Sequence, residues 1–172
     1  MELQIKPITA TSATALSELA ITIYKQHYLQ LWNEGGADWY MHQYAYPIDV
    51  LTAELNDENN QYYFVYENDI RIGYLKLKLS TKLVNNALEI ERIYLDKIHT
   101  GKGFGKKIMA FAESIAIAQN NTSLVLKAMD SSKDAIAFYE KMGFEIIASS
   151  TLSFELMKPA FRGMVTLQKN IQ

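Results

Sequence analysis

The stretch LEIERIYLDKIHTGKGFGKKIMAFAESIA, from Leu88 to Ala116, constrains this chain more than any other. It reads as a strand that enters a loop with glycine at alternate positions, Gly101, Gly103 and Gly105, and leaves as a long helical pattern. Glycine accepts a positive φ and has no Cβ to hold a ligand away. Successive backbone N–H groups can therefore converge on an anion at the positive end of the following helix. A pyrophosphate suits such a cradle, and Lys102, Lys106 and Lys107 add positive charge around it. A tight strand-to-helix turn without a ligand is the plain alternative for a glycine-rich loop taken alone. The nucleotide motifs fail on spacing. Gly105 and Lys106 are followed by Lys107, where a P-loop needs Ser or Thr, and the alternating glycines do not give the G-x-G-x-x-G of a dinucleotide fold.

The flanking sequence sets the fold class. Leu3 and Ile5 suggest a short opening strand, and Thr11 and Ser12 offer caps to a helical run from Ala13 to Trp32. Gly35 and Gly36 break that run, and a second helix is expected from Pro47 to Leu55. Gln61 to Glu67 and Arg71 to Leu79 alternate as a hairpin around Asn68 and Asp69, and Leu88 to Leu95 makes the next strand. A helix from Gly103 to Gln119, a strand from Ser123 to Ala128, a helix from Ser132 to Met142, and strands at Phe144 to Ala148 and Met164 to Lys169 complete the order. This order predicts a single α/β domain over residues 1–172, with a mixed, mostly antiparallel sheet and helices on both faces.

Composition narrows the function classes. With 49% hydrophobic and 21% charged residues, the chain has the balance of an ordinary soluble globular protein. A net charge of −2 argues against nucleic acid as partner, and no stretch approaches the length of a membrane span. The opening residues do not read as a signal peptide, so the cytoplasm is the expected compartment. The absence of cysteine rules out thiolate nucleophiles and thiolate metal sites. His27, His42 and His99 have no metal-ligand spacing, and no metal is expected.

The loop and the segment AIAFYEKMGF, from Ala135 to Phe144, together resemble the Gcn5-related N-acetyltransferase (GNAT) family. That family follows a strand with [RQ]-x-x-G-x-[GA], then carries a helix with A-x-x-F-Y and a G-F turn. The resemblance runs from about Tyr62 to Phe144, and within the family it is most similar to PaiA-like polyamine N-acetyltransferases. Thr100 stands where the loop usually has Arg or Gln, which leaves the phosphates to the backbone amides. Ser132 stands where the helix often starts with Asn, a shorter reach that still suits a cap.

The resemblance implies the GNAT acyl-CoA N-acyltransferase fold and acetyl-CoA as co-substrate. It also implies transfer of an acetyl group to a primary amine of a small molecule, with a polyamine as the narrower expectation. Ile93, Tyr94 and Leu95 would offer strand-edge groups to the amide-bearing arm of the cofactor. Thr100, Gly101, Lys102, Gly103, Phe104, Gly105 and Lys106 would hold its pyrophosphate, with Ser132 and Lys141 as further contacts. Tyr139 falls where the family has its general acid, and a phenol of pKa about 10 stays protonated at neutral pH. A core tyrosine packed beside Phe138 is the alternative. Alternation places Glu91 and Glu89 on one strand face with Ile93 as candidate bases, Glu91 preferred, unless they pair with Arg92 or a lysine.

Tyr24, Tyr28, Trp32, Trp39, Tyr40, Tyr44 and Tyr46 suit either an alkylammonium pocket or a core, with Glu34, Asp38 and Asp49 as nearby acids. Residues 149–163 carry no pattern that decides between a substrate lid and a contact in a homodimer. A peptide N-acetyltransferase and a non-catalytic acyl-CoA sensor are the rival readings.

Overall fold

The computed structural model describes residues 2–172. Seven strands form one sheet: β1 (Leu3–Pro7), β2 (Asn60–Glu67), β3 (Ile70–Lys78), β4 (Ala87–Leu95), β5 (Ser123–Met129), β6 (Glu145–Thr151) and β7 (Gly163–Asn170). Their order across the sheet is β1-β2-β3-β4-β5-β7-β6, and all pairings are antiparallel except the parallel β4–β5. The β2–β3 hairpin closes through Asn68 and Asp69, both at positive φ, the backbone hand that matches strand twist in a two-residue turn.

Helices cover both faces. On one, α4 (Phe104–Ala118) buries Phe104, Ile108, Met109, Ala112 and Ala116 at helical spacing, and α5 (Lys133–Lys141) adds Ile136. On the other, α1 (Ala13–His27) buries Ala13, Leu16, Ala20, Ile23 and Tyr24, beside α2 (Gly36–Trp39) and α3 (Ile48–Leu55).

The first helix is shorter than its pattern. It stops at His27, and Leu29–Leu31 form a 3₁₀ turn that delivers Trp32 to a bridge with Met157. Leu31 and Trp32 stay buried across the break, so the apolar pattern outlasts the helix. Residues Tyr40–Ala45 continue α2 as a π-helix, a geometry with no 3.6-residue signature.

The strand before the glycine loop is not regular. Arg92 pairs with Lys76 and Ile90 with Leu77, which leaves Glu91 as the extra residue of a β-bulge. The bulge switches the alternation. Leu88 and Ile90 lie in the α4-side core with Ile93 and Leu95 packed against it, while Tyr94 packs on the α1 side. Ile93 therefore does not share a face with Glu89, although simple alternation predicts that it does.

Candidate active site

The glycines of the loop serve different needs. Gly101 and Gly103 have φ of 76° and 82°, a left-handed backbone that L side chains resist, and an added Cβ at either would have nothing within 4 Å. Gly105 lies inside α4, where a Cβ would come 3.3 Å from the Cζ of Phe138, so it allows α4 and α5 to approach. Gly103 caps α4 without any side-chain hydrogen bond, which leaves the first-turn N–H groups from Phe104 onward uncapped by side chains. Open space before uncapped helical amides is what an anion such as a pyrophosphate needs. Lys102, Lys106 and Lys107 are exposed around it, whereas the Phe104 side chain is buried and only its amide can take part.

The loop is anchored before it reaches the glycines. Asp96 accepts from the Ile98 amide at 3.2 Å, and Thr100 donates its hydroxyl to the Lys97 carbonyl at 2.7 Å. The backbone N–H of Lys97 donates to Gln26 Oε1 at 2.9 Å, and His99 lies 3.4 Å from Glu67. The Thr100 hydroxyl thus holds the turn itself.

Behind the loop the sheet opens. β4 and β5 pair only from Ala87–Ser123 to Ile90–Leu126; beyond that, β4 stays with β3 and β5 stays with β7. Two unpaired strand edges face each other there, an arrangement that can receive a strand-like amide chain. A cavity of about 390 Å³ occupies this region, and Ile93, Tyr94, Ala128, Met129, Ser132 and Tyr139 are among the residues that line it. Ser132 makes no side-chain cap to α5, so its hydroxyl is not engaged as the expected cap. The Leu95 carbonyl lies 3.0 Å from Nε2 of His27 on α1. Lys141 is exposed at the end of α5 and does not line the cavity.

Tyr139 reaches the cavity from α5, with its ring against Phe138 and Phe144. Burial raises its phenol above the usual value. Tyr28, across the cavity, is pushed up to about 12, chiefly by burial and next by Tyr139. Both remain protonated at neutral pH.

Glu89 and Glu91 line the same cavity. Glu91 is an ion-pair partner: its Oε2 lies 3.0 Å from Lys76 Nζ and 3.4 Å from Lys78 Nζ. Burial alone would raise its carboxyl, but Lys76, Arg92 and Lys78 hold it below the usual carboxylate range. Lys76 also closes on Glu54, which accepts from the Tyr62 hydroxyl at 3.0 Å. Glu89 makes no ion pair among the described residues.

The aromatic residues divide. Tyr24, Tyr28, Tyr40 and Tyr44 line the cavity, while Trp32 is a core residue whose indole donates to Tyr24 Oη at 2.8 Å. Glu34, Asp38 and Asp49 are exposed and outside the cavity, so they are not its acids. Leu152, Phe154 and Met157 complete the wall, which gives the segment after β6 a place in the site that its sequence did not signal. Arg162 holds this wall by donating to the carbonyls of Met157 and Glu155, each at 2.9 Å. Arg92 also lines the cavity, and Lys76 lies behind it; only the pleat of β3 against β4, invisible in either strand alone, brings them there.

The family model described as "Acetyltransferase (GNAT) family" matches residues 23–144, most of the chain and all of the loop, splayed strands and Tyr139 helix. The chain belongs to the GNAT acetyltransferase family. Acetyl-CoA is the co-substrate of this family's acyl transfer, in keeping with the cradle and the open strand edges. A curated relative, "Uncharacterized N-acetyltransferase in pepI 3'region" of Lactobacillus delbrueckii subsp. lactis, is 32% identical over 99 residues, 55% of this chain. The match spans 57% of that relative's length.

Among solved structures, the PaiA N-acetyltransferase of Thermoplasma acidophilum in complex with coenzyme A superposes with a TM-score of 0.76 at 19% identity. It is covered over 100% of its chain by 99% of this one. A spermidine N-acetyltransferase SpeG chimera from Vibrio cholerae and hSSAT gives 0.69 at 16% identity, over 99% of this chain and 96% of its own. At these identities the likeness shows the GNAT fold, a seven-stranded mixed sheet with helices on both faces. No helix among the described residues is long and apolar enough to cross a membrane.

Proposed function

We propose that this GNAT protein transfers the acetyl group of acetyl-CoA to a primary amine of a small molecule by direct attack on the thioester. The observation that carries the reading is one cavity that joins the open β4 and β5 edges, the Tyr139 phenol and the carboxylates of Glu89 and Glu91. Acetyl-CoA supplies the activated acetyl group. The α4 N-terminus with Gly101 to Lys106 would hold its pyrophosphate, and the edges at Ile93 to Leu95 and at Ala128 to Met129 its amide arm.

Tyr139 keeps its proton through neutral pH and donates it to the departing thiolate. The attacking amine must lose a proton, and Glu89, which has no ion-pair cation, is the stronger base candidate. Glu91, with its basicity lowered by Lys76, is the weaker one and sets the local charge. Lys141 has at most an outer contact with the cofactor.

A polyamine acceptor is the narrower reading. The two cavity carboxylates and the four tyrosine rings favour an alkylammonium, and a protein named for spermidine shares the fold. The cytoplasm as compartment and a homodimer as assembly belong to the same proposal. The exposed edge strand β6 is the free edge through which two copies could pair.

The test measures release of free CoA from acetyl-CoA with a panel of primary amines, and product mass. Thermal shifts with acetyl-CoA, ATP and NAD run alongside. Amine-dependent thiol release with stabilisation by acetyl-CoA is the expected result. Stabilisation by ATP or NAD alone overturns the choice of donor. Acetyl-CoA binding without turnover of any amine overturns catalysis in favour of a sensor, and turnover of peptides but not of free amines overturns the small acceptor.

A further inference from the structure

Acyl transfer gives Arg92 no part, yet Arg92 lines the cavity. Its position follows from the bulge, which sets it opposite Lys76 on the α1 side of the sheet. There its guanidinium donates one hydrogen bond to Tyr62 Oη at 3.0 Å and lies 5.5 Å from the Tyr46 ring centroid. Among the described residues it makes no ion pair. Glu91, its chain neighbour, and Glu54, which shares the Tyr62 hydroxyl with it, both close on Lys76.

A guanidinium drawn into an aromatic enclosure with one phenol hydrogen bond and no carboxylate paired to it leaves most of its N–H donors unmet. The arrangement becomes favourable when an anion arrives to complete it. Guanidinium is the group suited to this, because its planar fork meets a carboxylate through two parallel N–H···O bonds.

We propose that the acceptor carries a carboxylate as well as its amine, and that Arg92 receives that carboxylate. The inference rests on the primary-amine acceptor proposed above and narrows its class to amino acids in place of polyamines. The cavity is then complementary to a zwitterion: Glu89 and Glu91 for the amine end, Arg92 for the acid end, tyrosine rings for the body between. A polyamine offers nothing to Arg92 and sets a further positive charge near it. It is the poorer acceptor on this reading. Arg92 acts by binding and touches no reacting atom, so its effect belongs in KM rather than in the chemical step.

The experiment compares amino acids with their own decarboxylated amines at saturating acetyl-CoA: ornithine with putrescine, lysine with cadaverine, tyrosine with tyramine. In at least one pair kcat/KM is expected to favour the amino acid by about ten-fold or more. Arg92→Gln should bring that ratio toward unity by raising KM for the amino acid, and Arg92→Lys should restore part of it. The wild-type ratios decide on their own should either variant fail to fold. Equal or better use of the decarboxylated amine in every pair overturns the inference while acyl transfer to amines stands. A preference that survives in folded Arg92→Gln overturns the role of Arg92. Absence of turnover with every amine overturns acyl transfer and this inference together.

Discussion

The ammonium of Lys76, buried on β3, lies 3.0 Å from Oε2 of Glu91 on β4 and closes on Glu54 from α3 at the same time. One buried cation thus neutralises two carboxylates that come from different layers. Lys76→Met should leave Glu54 without its cation and Glu91 with only Lys78 at 3.4 Å, and breaking a buried pair from one side costs about 3–5 kcal/mol. Both glutamates keep some solvent contact, with side chains 21% and 26% exposed, which places the expected loss near about 3 kcal/mol. Urea denaturation of the variant checks it. A loss within about 0.5 kcal/mol would remove the network as a stabilising feature.

The same pair sets a pH dependence. The Glu91 carboxyl is below the usual carboxylate range when folded. A lowered folded pKa means that the unfolded chain binds the proton more tightly. The stability it contributes is therefore complete above the unfolded pKa and disappears as pH falls through the folded one. Wild type should accordingly lose Tm more steeply than Glu91→Gln between about pH 5 and pH 3. Parallel melting curves over that interval would show that Glu91 adds nothing to the acid limb.

Tyr139→Phe removes the phenol proton and little else, since its ring packing with Phe138 and Phe144 is retained. Loss of a general acid costs about 10²–10⁴-fold in kcat. Stabilisation by acetyl-CoA should stay at its wild-type value. Burial raises the phenol, so wild-type activity should decline only at a pH above the ordinary tyrosine range, as the phenolate forms, and Tyr139→Phe should lack that limb. A pH–rate profile of both proteins separates this role from packing.

Much of the frame is carried by local pattern. The hairpin around Asn68 and Asp69, the strand into the glycine loop and the helix of Tyr139 each follow from residues adjacent in the chain. What escapes such a reading depends on partners far away. The bulge at Glu91 exists only against Lys76 and Leu77, so alternation along β4 alone puts Ile93 on the wrong face. The first helix ends at His27 and the chain then brings Trp32 to Met157, a contact between segments far apart in sequence. Phe154 reaches the cavity for the same reason, through rings of Trp32, Trp39, Tyr40 and Tyr44 that no sequence spacing connects to it. Arg92 reads as a partner for a strand glutamate until Lys76 is seen to hold both nearby acids.

Three glycines separate backbone strain from close packing, and alanine at each should have a different consequence. At Gly103 the φ of 82° penalises an L side chain by about 1–2 kcal/mol, but a Cβ meets nothing within 4 Å. Gly103→Ala should fold, with a modest drop in Tm and weaker binding of acetyl-CoA as the loop relaxes. At Gly105 the Cβ would meet the end of the Phe138 ring at 3.3 Å, a contact that a few tenths of an ångström of ring movement relieves. Gly105→Ala should therefore sit near wild type in stability, helped by the better helix propensity of alanine. At Gly73 the Cβ would lie 2.3 Å from the Tyr94 carbonyl oxygen, a backbone atom that cannot turn aside. Relief there requires β3 and β4 to part next to the open edge of β4. Gly73→Ala should cost more than the other two, about 3 kcal/mol or more, and displace Tyr94 from the cavity wall. Melting temperatures of the three variants rank these effects, and a Gly73→Ala protein as stable as Gly105→Ala would show that the strands part without cost.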